Sequence, residues 1–227
     1  MSEVADKRLN LQDAHNQVSM GFPLLEGSIK FYVARHGETD FNKRNILQGQ
    51  IDTRLNETGK SQALKLAAVL HKYDIDAIYT SDLNRAYETA EIISREISVP
   101  ITGKSTDLRE ASFGQFEGKT YSEIAALKGV SVETLMNDGL DKVIHVESCS
   151  NIAHRSIGFL ESVARERIGG SILVITHGGV MRSMASKILD VSLNYLYFSN
   201  GDLLEMSYGR KGWKVSITQD NEFYPVE

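Results

Sequence analysis

The hydrophobic positions of the chain follow two alternating periods. Short apolar runs at 29–34, 77–80 and 171–176 have the length and composition of buried strands, and each is followed by a polar turn. Segments that begin near residues 56 and 84 instead place apolar side chains three or four positions apart, which predicts helices. The inward positions are Ala63, Leu66, Ala67 and Leu70 in the first helix and Ala86, Ala90 and Ile93 in the second. Strands that alternate with helices predict an α/β fold, a three-layer α/β/α sandwich with a mostly parallel central sheet.

The same periods continue through the rest of the chain. Pro100 precedes a short strand at 101–102, and residues 107–146 are irregular except for two short helical stretches. The remaining predicted elements are helices at 122–127, 132–136, 151–168 and 178–189 and a hairpin of strands 202–208 and 213–218. Residues 1–28 show no clear period, so we predict an N-terminal extension at 1–28 and one folded domain at 29–227.

Composition excludes several classes of function. The 25 basic and 30 acidic residues give a formal net charge of −5, which offers no general attraction for nucleic acid or for an anionic membrane. The single cysteine, Cys149, excludes an internal disulfide and a cysteine-based zinc cluster. No apolar run approaches the roughly 20 residues that cross a bilayer, and the N-terminus has no secretory-type apolar run. We therefore expect a cytoplasmic protein that binds neither nucleic acid nor membrane.

Two histidines stand at the ends of predicted strands. Val-Ala-Arg-His-Gly at 33–37 and Val-Ile-Thr-His-Gly at 174–178 each lead from an apolar strand into histidine and glycine. Ligands of open α/β sheets bind beyond the carboxyl ends of the strands, so His36 and His177 are predicted to face one pocket. His177 also opens a helix, whose N-terminal amides favour an anion.

Two arginines accompany these histidines. Arg35 directly precedes His36, and Arg85 lies in the first turn of a predicted helix, where a cation opposes the helix dipole unless an anion is bound nearby. The guanidinium group pairs well with the oxygens of a phosphate. Taken singly, each residue has a simpler explanation, a solvent-exposed arginine or a structural histidine. Together with His177, the group predicts a cationic pocket of the size of a phosphate.

Two sequence patterns that are absent reduce the number of reactions that such a pocket could catalyse. Neither the phosphate-binding pattern GxxxxGK[ST] nor the serine-nucleophile pattern GxSxG is present. His36 and His177 could supply two metal ligands, but the neighbouring arginines oppose a cation, so we expect no metal. A histidine that attacks phosphorus fits the residues present, with the arginines neutralising the phosphoryl oxygens and a further acid protonating the leaving group.

Several motifs follow one another in a recognisable order. They are Arg35-His36-Gly37-Glu38-Thr39 with Asn42, the segments 81–86 and 89–90, Leu108-Arg109-Glu110 with 113–118, Glu147-Ser148 with Arg155, and Thr176-His177-Gly178. In this order, over about residues 29–208, they resemble the histidine phosphatase superfamily, the phosphoglycerate-mutase-like proteins. The resemblance implies a phosphoglycerate-mutase-like fold, a catalytic domain at 29–227 and phosphoryl chemistry without a cofactor.

The resemblance also implies roles for individual residues. The implied catalytic set is His36 as nucleophile, Arg35, Arg85 and His177 as the phosphate clamp, and Glu110 as proton donor and later base. The implied substrate contacts are Asn42, Gln48, Gly49 and the amide of Gly178. Asn42 could instead cap local backbone, and nothing in the spacing of Glu110 alone distinguishes it from the many other acids of the chain.

The same pocket serves either hydrolysis or phosphoryl transfer within a substrate. Mutases of the family carry a longer insertion with a lysine and paired arginines, and a tyrosine at the position of Phe113. Here residues 119–146 contain no arginine and only Lys119, Lys128 and Lys142 as cations. We therefore predict a phosphatase for a small phosphorylated metabolite, working as a monomer or homodimer. The alternatives are a mutase, a fructose-2,6-bisphosphatase-like activity and an inactive relative that binds a phosphorylated ligand.

Overall fold

The computed structural model describes residues 28–138, 146–167, 169–192 and 196–216. Its strands are β1 (Ile29–Arg35), β2 (Ala77–Ser81), β3 (Ile101–Ser105), β4 (Gly170–Thr176), β5 (Leu203–Gly209) and β6 (Gly212–Ser216). Its helices are α1 (Asp40–Lys43), α2 (Glu57–Leu70), α3 (Asn84–Ile97), α4 (Tyr121–Lys128), α5 (Val132–Asp138), α6 (Cys149–Arg165) and α7 (Gly178–Leu189). The predicted extension, except for Ser28, and the end of the predicted hairpin lie outside the described residues. No helix in the described ranges is both long enough and apolar enough to span a membrane.

The six strands form one mixed sheet in the order β3-β2-β4-β1-β5-β6. The first four strands in this order are parallel, whereas β5 runs antiparallel to β1 and β6 runs antiparallel to β5. The mostly parallel sheet is therefore confirmed, and the hairpin β5–β6 adds two antiparallel strands at one edge.

Alternate side chains of the central strands pack against helices on opposite faces of the sheet. Phe31 and Val33 of β1 belong to a hydrophobic cluster with residues of α6 and α7, whereas Tyr32 and Ala34 belong to a second cluster with residues of α2 and α3. Successive side chains of a strand point to opposite faces, so a strand covered on both sides reads as a continuous apolar run. The three-layer sandwich is confirmed. The predicted inward positions of α2 and α3 are buried: Ala63, Leu66, Ala67, Leu70, Ala86, Ala90 and Ile93.

Several element boundaries differ from the predicted ones by one to three residues, and α6 ends at Arg165 rather than 168; two of these differences have a clear cause. Strand β3 extends to Ser105, because its parallel pairing with β2 continues through Lys104 and Ser105 although neither residue is apolar. Helix α6 begins at Cys149 rather than 151, since the Ser148 hydroxyl accepts the Asn151 amide (3.2 Å) and caps the first turn. Hydrogen bonding extended both elements beyond their apolar positions.

The register of the two central strands places both histidines at one edge of the sheet. Strands β1 and β4 are parallel neighbours, and Arg35 lies opposite Thr176 in their pairing. His36 and His177 are the residues that directly follow these strands, and the His36 amide donates to the Thr176 carbonyl (2.9 Å). Residues that are far apart in the chain therefore meet beyond the carboxyl ends of these strands.

Candidate active site

Two histidine rings and two arginines occupy the centre of the site. The rings of His36 and His177 have centroids 5.1 Å apart and an interplanar angle of 62°. Arg85 Nε lies 3.2 Å from His36 Nε2, and the side chains of His36, His177 and Arg85 are all buried. Arg35, which is partly buried, lies on the strand that leads into His36. The structure thus brings together the four residues from which the phosphate pocket was inferred.

Main-chain contacts determine which nitrogen of His36 is available for chemistry. Its Nδ1 lies 2.7 Å from the carbonyl oxygen of Gly37, and because a carbonyl only accepts, Nδ1 carries the proton. Nε2 therefore keeps its lone pair and accepts from Arg85 Nε. The Gly37 amide donates to Thr89 Oγ1 (3.1 Å), and a Cβ at Gly37 would collide with the backbone of Gly59. The loop that aims His36 is therefore held by contacts that only glycine permits.

His177 uses its nitrogens in the opposite way. Its Nε2 lies 2.9 Å from Ser81 Oγ, which in turn accepts the Leu83 amide at 3.4 Å. The direction of this contact depends on the tautomer of the ring, and we assign the hydroxyl proton of Ser81 to Nε2, which places the proton of the neutral ring on Nδ1. Nδ1 is buried and has no hydrogen-bond partner among the described residues. His177 therefore offers an N–H donor inside the pocket.

All three nitrogens of the Arg85 guanidinium are engaged. Nη1 donates to the Ile51 carbonyl (2.8 Å) and Nη2 to the Gly49 carbonyl (2.7 Å), while Nε faces His36. Burial lowers the pKa of Arg85 to about 10, which leaves the group charged at neutral pH. Gly49 has a positive φ of 53°, and a Cβ there would collide with the Glu117 carboxylate. Gly49, expected to line the substrate, thus holds Arg85 in place, and direct contact with substrate stays a prediction.

Arg35 contributes a second buried donor. Its Nη1 donates to the Phe198 carbonyl (2.7 Å), whereas its Nε is buried without a hydrogen-bond partner in the described part of the chain. A Cβ on Gly178, the first residue of α7, would lie 3.3 Å from that Nε. The Arg35 donor therefore borders the N-terminus of α7, whose amides favour an anion. Contact between the Gly178 amide and phosphate stays a prediction.

Burial and the two guanidinium groups keep both histidines neutral. Desolvation first, and then the charges of Arg85 and Arg35, lower the pKa of His36 well below its ordinary value of 6.5. Desolvation and the charge of Arg85 lower the pKa of His177 in the same way. The positive charge of the pocket therefore comes from the arginines, while His36 supplies a lone pair and His177 a neutral donor. This refines the picture of four cationic groups that the sequence suggested.

Glu110 reaches the same place from another loop. Its Oε1 accepts the Ala111 amide (2.9 Å), and its Oε2 accepts the amide of Gly179 in the first turn of α7 (3.1 Å). A Cβ at Gly179 would collide with the Glu110 carboxylate. The acid that the resemblance implied therefore lies beside the phosphate pocket, and each of its oxygens keeps a further lone-pair position.

Asn42 and Gln48 are engaged with the protein itself. The Asn42 Oδ1 accepts the Thr39 amide (3.1 Å) and hydroxyl (3.0 Å), which completes the capping box of α1. This is the capping role that the sequence left open beside phosphate contact. Gln48 Oε1 accepts the Thr53 hydroxyl (2.6 Å) and lies 2.9 Å from Thr39 Oγ1, so that it shares the Thr39 hydroxyl proton with Asn42 and holds the loop after α1. Substrate contacts by Asn42 and Gln48 stay predictions.

Sequence reasoning assigned no role to two residues that shape the site. Ser81 sets the proton of His177, and Gly179 gives Glu110 room to reach α7. A weak signal exists for each: Ser81 ends a strand beside the Arg85 segment, and Gly179 is the second of two glycines after His177. Neither signal distinguishes these residues without the three-dimensional neighbours that they contact.

Comparison with known proteins agrees with this geometry. A family model of the histidine phosphatase superfamily (branch 1) matches residues 31–221. The chain is 34% identical over 177 residues to the metal-independent phosphoserine phosphatase of Arabidopsis thaliana, covering 73% of this chain and 74% of that protein. It is 33% identical over 183 residues to phosphoglycerate mutase-like protein 4 of the same plant, covering 75% and 80% of the two chains.

Solved structures show the same architecture. The native structure of a mycobacterial glucosyl-3-phosphoglycerate phosphatase has a TM-score of 0.74 at 25% identity and covers 84% of this chain and 98% of that one. YhfR of Bacillus stearothermophilus has a TM-score of 0.75 at 28% identity and covers 83% and 96%. Because the family model spans most of the chain and includes every residue of the site, the chain belongs to the histidine phosphatase superfamily, branch 1.

Proposed function

We propose that this histidine phosphatase hydrolyses a small phosphate monoester through a phosphohistidine intermediate and without a metal ion. One observation carries the proposal: a buried, neutral His36 presents an unprotonated Nε2 directly to the Arg85 guanidinium. A neutral imidazole beside fixed positive charge is suited to attack an anionic phosphoryl group. The names of the relatives, a metal-independent phosphoserine phosphatase and a glucosyl-3-phosphoglycerate phosphatase, support hydrolysis of a monoester.

The first step transfers the phosphoryl group to the protein. The Arg85 Nε–H group exchanges its contact with His36 Nε2 for a phosphoryl oxygen, the freed Nε2 lone pair attacks phosphorus, and the bond from phosphorus to the ester oxygen breaks. Arg35 and Arg85 neutralise the phosphoryl oxygens, and the His177 Nδ1–H group donates to one of them. The protonated Glu110 carboxyl gives its proton to the leaving oxygen, so that the product departs as a neutral alcohol.

The second step uses the same groups in reverse. Glu110, now a carboxylate, takes a proton from a water molecule as the water oxygen attacks phosphorus. The bond between phosphorus and His36 Nε2 breaks, and the imidazole recovers its lone pair. Phosphate leaves, Glu110 is protonated again, and the protein returns to its starting state.

Hydrolysis is favoured over mutase chemistry by what surrounds the pocket. A mutase must hold a second anionic group while the substrate reorients, and it must keep water away from the phosphoenzyme. In the described part of 119–146, Lys128 lies over the ring of Phe116 (5.0 Å to the centroid). Phe113 is 9% exposed and belongs to the hydrophobic core. Lys128 packs on an aromatic ring and Phe113 lies in the core, so these contacts do not position either side chain to bind a second phosphate.

The cellular setting of the reaction is also part of the proposal. The acidic net charge of −5 and the single cysteine support a cytoplasmic protein whose partner is a small phosphorylated metabolite. The same charge disfavours nucleic acid and anionic membranes as partners. A monomer or a homodimer would serve this function equally well.

A phosphate-release assay with a chelator present tests the proposal. Pure protein is incubated with a panel of phosphorylated sugars, hydroxy acids and amino acids, and released phosphate is measured together with labelled phosphate trapped on the protein. We expect turnover that persists with chelator, is inhibited by vanadate and leaves label on His36. Activity that disappears with chelator and returns with a divalent ion would overturn the mechanism. Efficient phosphoglycerate interconversion with a bisphosphate primer would favour a mutase, and binding without turnover an inactive relative.

A further inference from the structure

An ion pair lies behind the loop that carries the proposed acid. Arg155 on α6 contacts Glu147 through two nitrogens, Nε to Oε1 at 2.8 Å and Nη2 to Oε2 at 3.1 Å. The other hydrogen bonds of the pair go to the backbone of that loop. Arg155 donates to the carbonyls of Asp107 (2.6 Å) and Glu110 (3.3 Å), and Glu147 accepts the Ser112 amide (3.2 Å). The pair therefore holds the acid loop at three backbone positions.

One of these positions controls the carboxyl group itself. The Glu110 carbonyl and the Ala111 N–H belong to the same peptide unit, and that N–H donates to Glu110 Oε1 (2.9 Å). A peptide unit is planar, so a donor that fixes the direction of the carbonyl also fixes the direction of the N–H. Gln50 Nε2 donates to the same carbonyl (3.2 Å), so the side chains of Arg155 and Gln50 together fix its direction.

We propose that Arg155, oriented by Glu147, is a positioning residue that directs the Glu110 carboxyl toward the leaving oxygen. The inference rests on the proposed function, because it concerns the acid of that reaction. Arg155 contacts Glu110 through the backbone alone, so it acts through the acid and takes no part in proton transfer. A fork of fixed geometry suits this task, since one planar guanidinium binds Glu147 and two loop carbonyls together.

A purely structural ion pair would have different consequences from a positioning one. A structural pair stabilises the loop and its loss lowers turnover of every substrate alike. A positioning pair affects the step that needs the acid, and that step matters most when the leaving group is a poor one. The second bidentate pair near the site, Arg109 with Asp82 (2.7 and 2.5 Å), shows the contrast, because the further side-chain contact of Arg109 goes to Gln50 Oε1 (3.5 Å) and not to the Glu110 peptide.

The test compares an alkyl phosphate with p-nitrophenyl phosphate in Arg155→Lys. Lysine keeps the charge but lacks the fork, and p-nitrophenolate leaves with little help from an acid. We expect kcat/KM for the best alkyl phosphate of the panel to fall about 100-fold, the effect of a small misplacement of a catalytic group. The value for p-nitrophenyl phosphate should fall less than about 5-fold, since the acid contributes little there. The matched control is Arg95→Lys, whose ion pair with Glu91 lies on the exposed side of α3.

A double-mutant cycle with Glu110→Gln separates positioning from general damage. If Arg155 acts through Glu110, adding Arg155→Lys to Glu110→Gln should change alkyl turnover by less than about 3-fold, because the interaction is already lost. Hydrogen–deuterium exchange measures the Ala111 amide directly, and this amide should exchange faster in Arg155→Lys than in the unmodified protein. Amides of β4 should exchange as in the unmodified protein, which shows that the fold is retained.

The outcomes distinguish this inference from the function on which it rests. An active unmodified protein whose Arg155→Lys variant loses both substrates equally, or whose losses simply multiply in the double variant, would overturn the positioning role alone. Glu147→Gln gives a second reading, because it keeps an acceptor for the Ser112 amide but removes the charge that orients Arg155; it should show the same preference in milder form. An unmodified protein that hydrolyses neither ester would overturn the proposed function, and the positioning role with it.

Discussion

The two strand ends at the site share one local pattern but bind their histidines through opposite ring nitrogens. At the end of β1, the Gly37 carbonyl binds Nδ1 of His36 and leaves Nε2 with its lone pair. At the end of β4, Ser81 binds Nε2 of His177, and the assigned proton of that ring lies on Nδ1. In the proposed mechanism, the first histidine attacks phosphorus and the second donates a hydrogen bond.

The difference lies in the partners and not in the histidines. The partner of His36 is its own neighbour along the chain, whereas the partner of His177 comes from β2, a different strand of the sheet. Burial and nearby guanidinium groups lower the pKa of both rings, so charge does not distinguish them. In the proposed mechanism, the choice of nitrogen therefore separates the nucleophile from the donor.

Replacing the nucleophile should have the largest effect. In His36→Ala no nitrogen remains to accept the phosphoryl group, so kcat should fall by about 10⁵-fold or more, as for the removal of other covalent nucleophiles. Rapid quench with labelled substrate measures both turnover and the phosphoenzyme. Label that is still trapped in this variant, on His177 or elsewhere, would show that the two histidines had been assigned the wrong way round.

Replacing the donor should have a smaller effect of a different kind. His177→Ala removes one hydrogen bond to the phosphoryl oxygens, so kcat should fall about 10²- to 10³-fold, the usual cost of one such donor. The phosphoenzyme should still form on His36, and the same rapid-quench measurement detects it. Complete loss of the phosphoenzyme would mean that His177 does more than donate a hydrogen bond.

Removing the partner of His177 should sharpen the comparison further. Ser81→Ala frees Nε2, so that the ring proton is no longer held on Nδ1, and kcat should fall about 10-fold, in the range for loss of an orienting partner. Steady-state kinetics measures the loss. The control is Ser94→Ala, because the Ser94 hydroxyl also makes a hydrogen bond, to the Val99 carbonyl (2.6 Å), but lies toward the other end of α3 from Arg85. Equal losses in the two variants would contradict the orienting role of Ser81.

The comparison also predicts a pH dependence of stability, which does not involve turnover. The folded protein keeps His36 and His177 neutral, with pKa values below 6.5, while the unfolded chain binds protons on both as the pH falls through that value. Stability from this source is therefore present above pH 6.5 and lost below it, by up to about 1.4 kcal/mol per pH unit for each histidine. Urea unfolding between pH 7 and pH 5 measures the slope.

Variants that lack one histidine show how much each histidine contributes to this pH dependence of stability. His36→Ala and His177→Ala should each remove about half of the dependence, because both rings are buried beside the same guanidinium charge. A slope that persists unchanged in the double variant would show that other groups control stability in this range.

The fold was largely predictable from the order of apolar positions. Central strands covered on both faces appear as continuous apolar runs, and the inward faces of α2 and α3 follow the helical period. Boundaries were less predictable, because Lys104 and Ser105 join β3 through backbone pairing with β2. Residues that join a strand through backbone hydrogen bonds need not be apolar, so the pattern of apolar positions does not reveal them.

The sequence predicted which residues form the site better than it predicted the contacts between them. Strand-end position and residue chemistry indicated His36, His177, Arg35 and Arg85, and the structure brings them together. Glu110 entered through family resemblance alone, since its place beside α7 depends on an amide from a distant segment. A contact between segments that are distant in the chain produces no characteristic residue spacing from which it could be predicted.

The sequence by itself determined which elements form and which reactive side chains stand at their ends, because periodicity and strand-end position are local properties of the chain. Only the tertiary structure decided what each side chain can do. The proton of His177 is set by Ser81, the Arg85 guanidinium by the carbonyls of Gly49 and Ile51, and the Glu110 peptide by Arg155. A hydrogen bond depends on distance and direction between atoms, and folding creates both between segments that are remote in sequence.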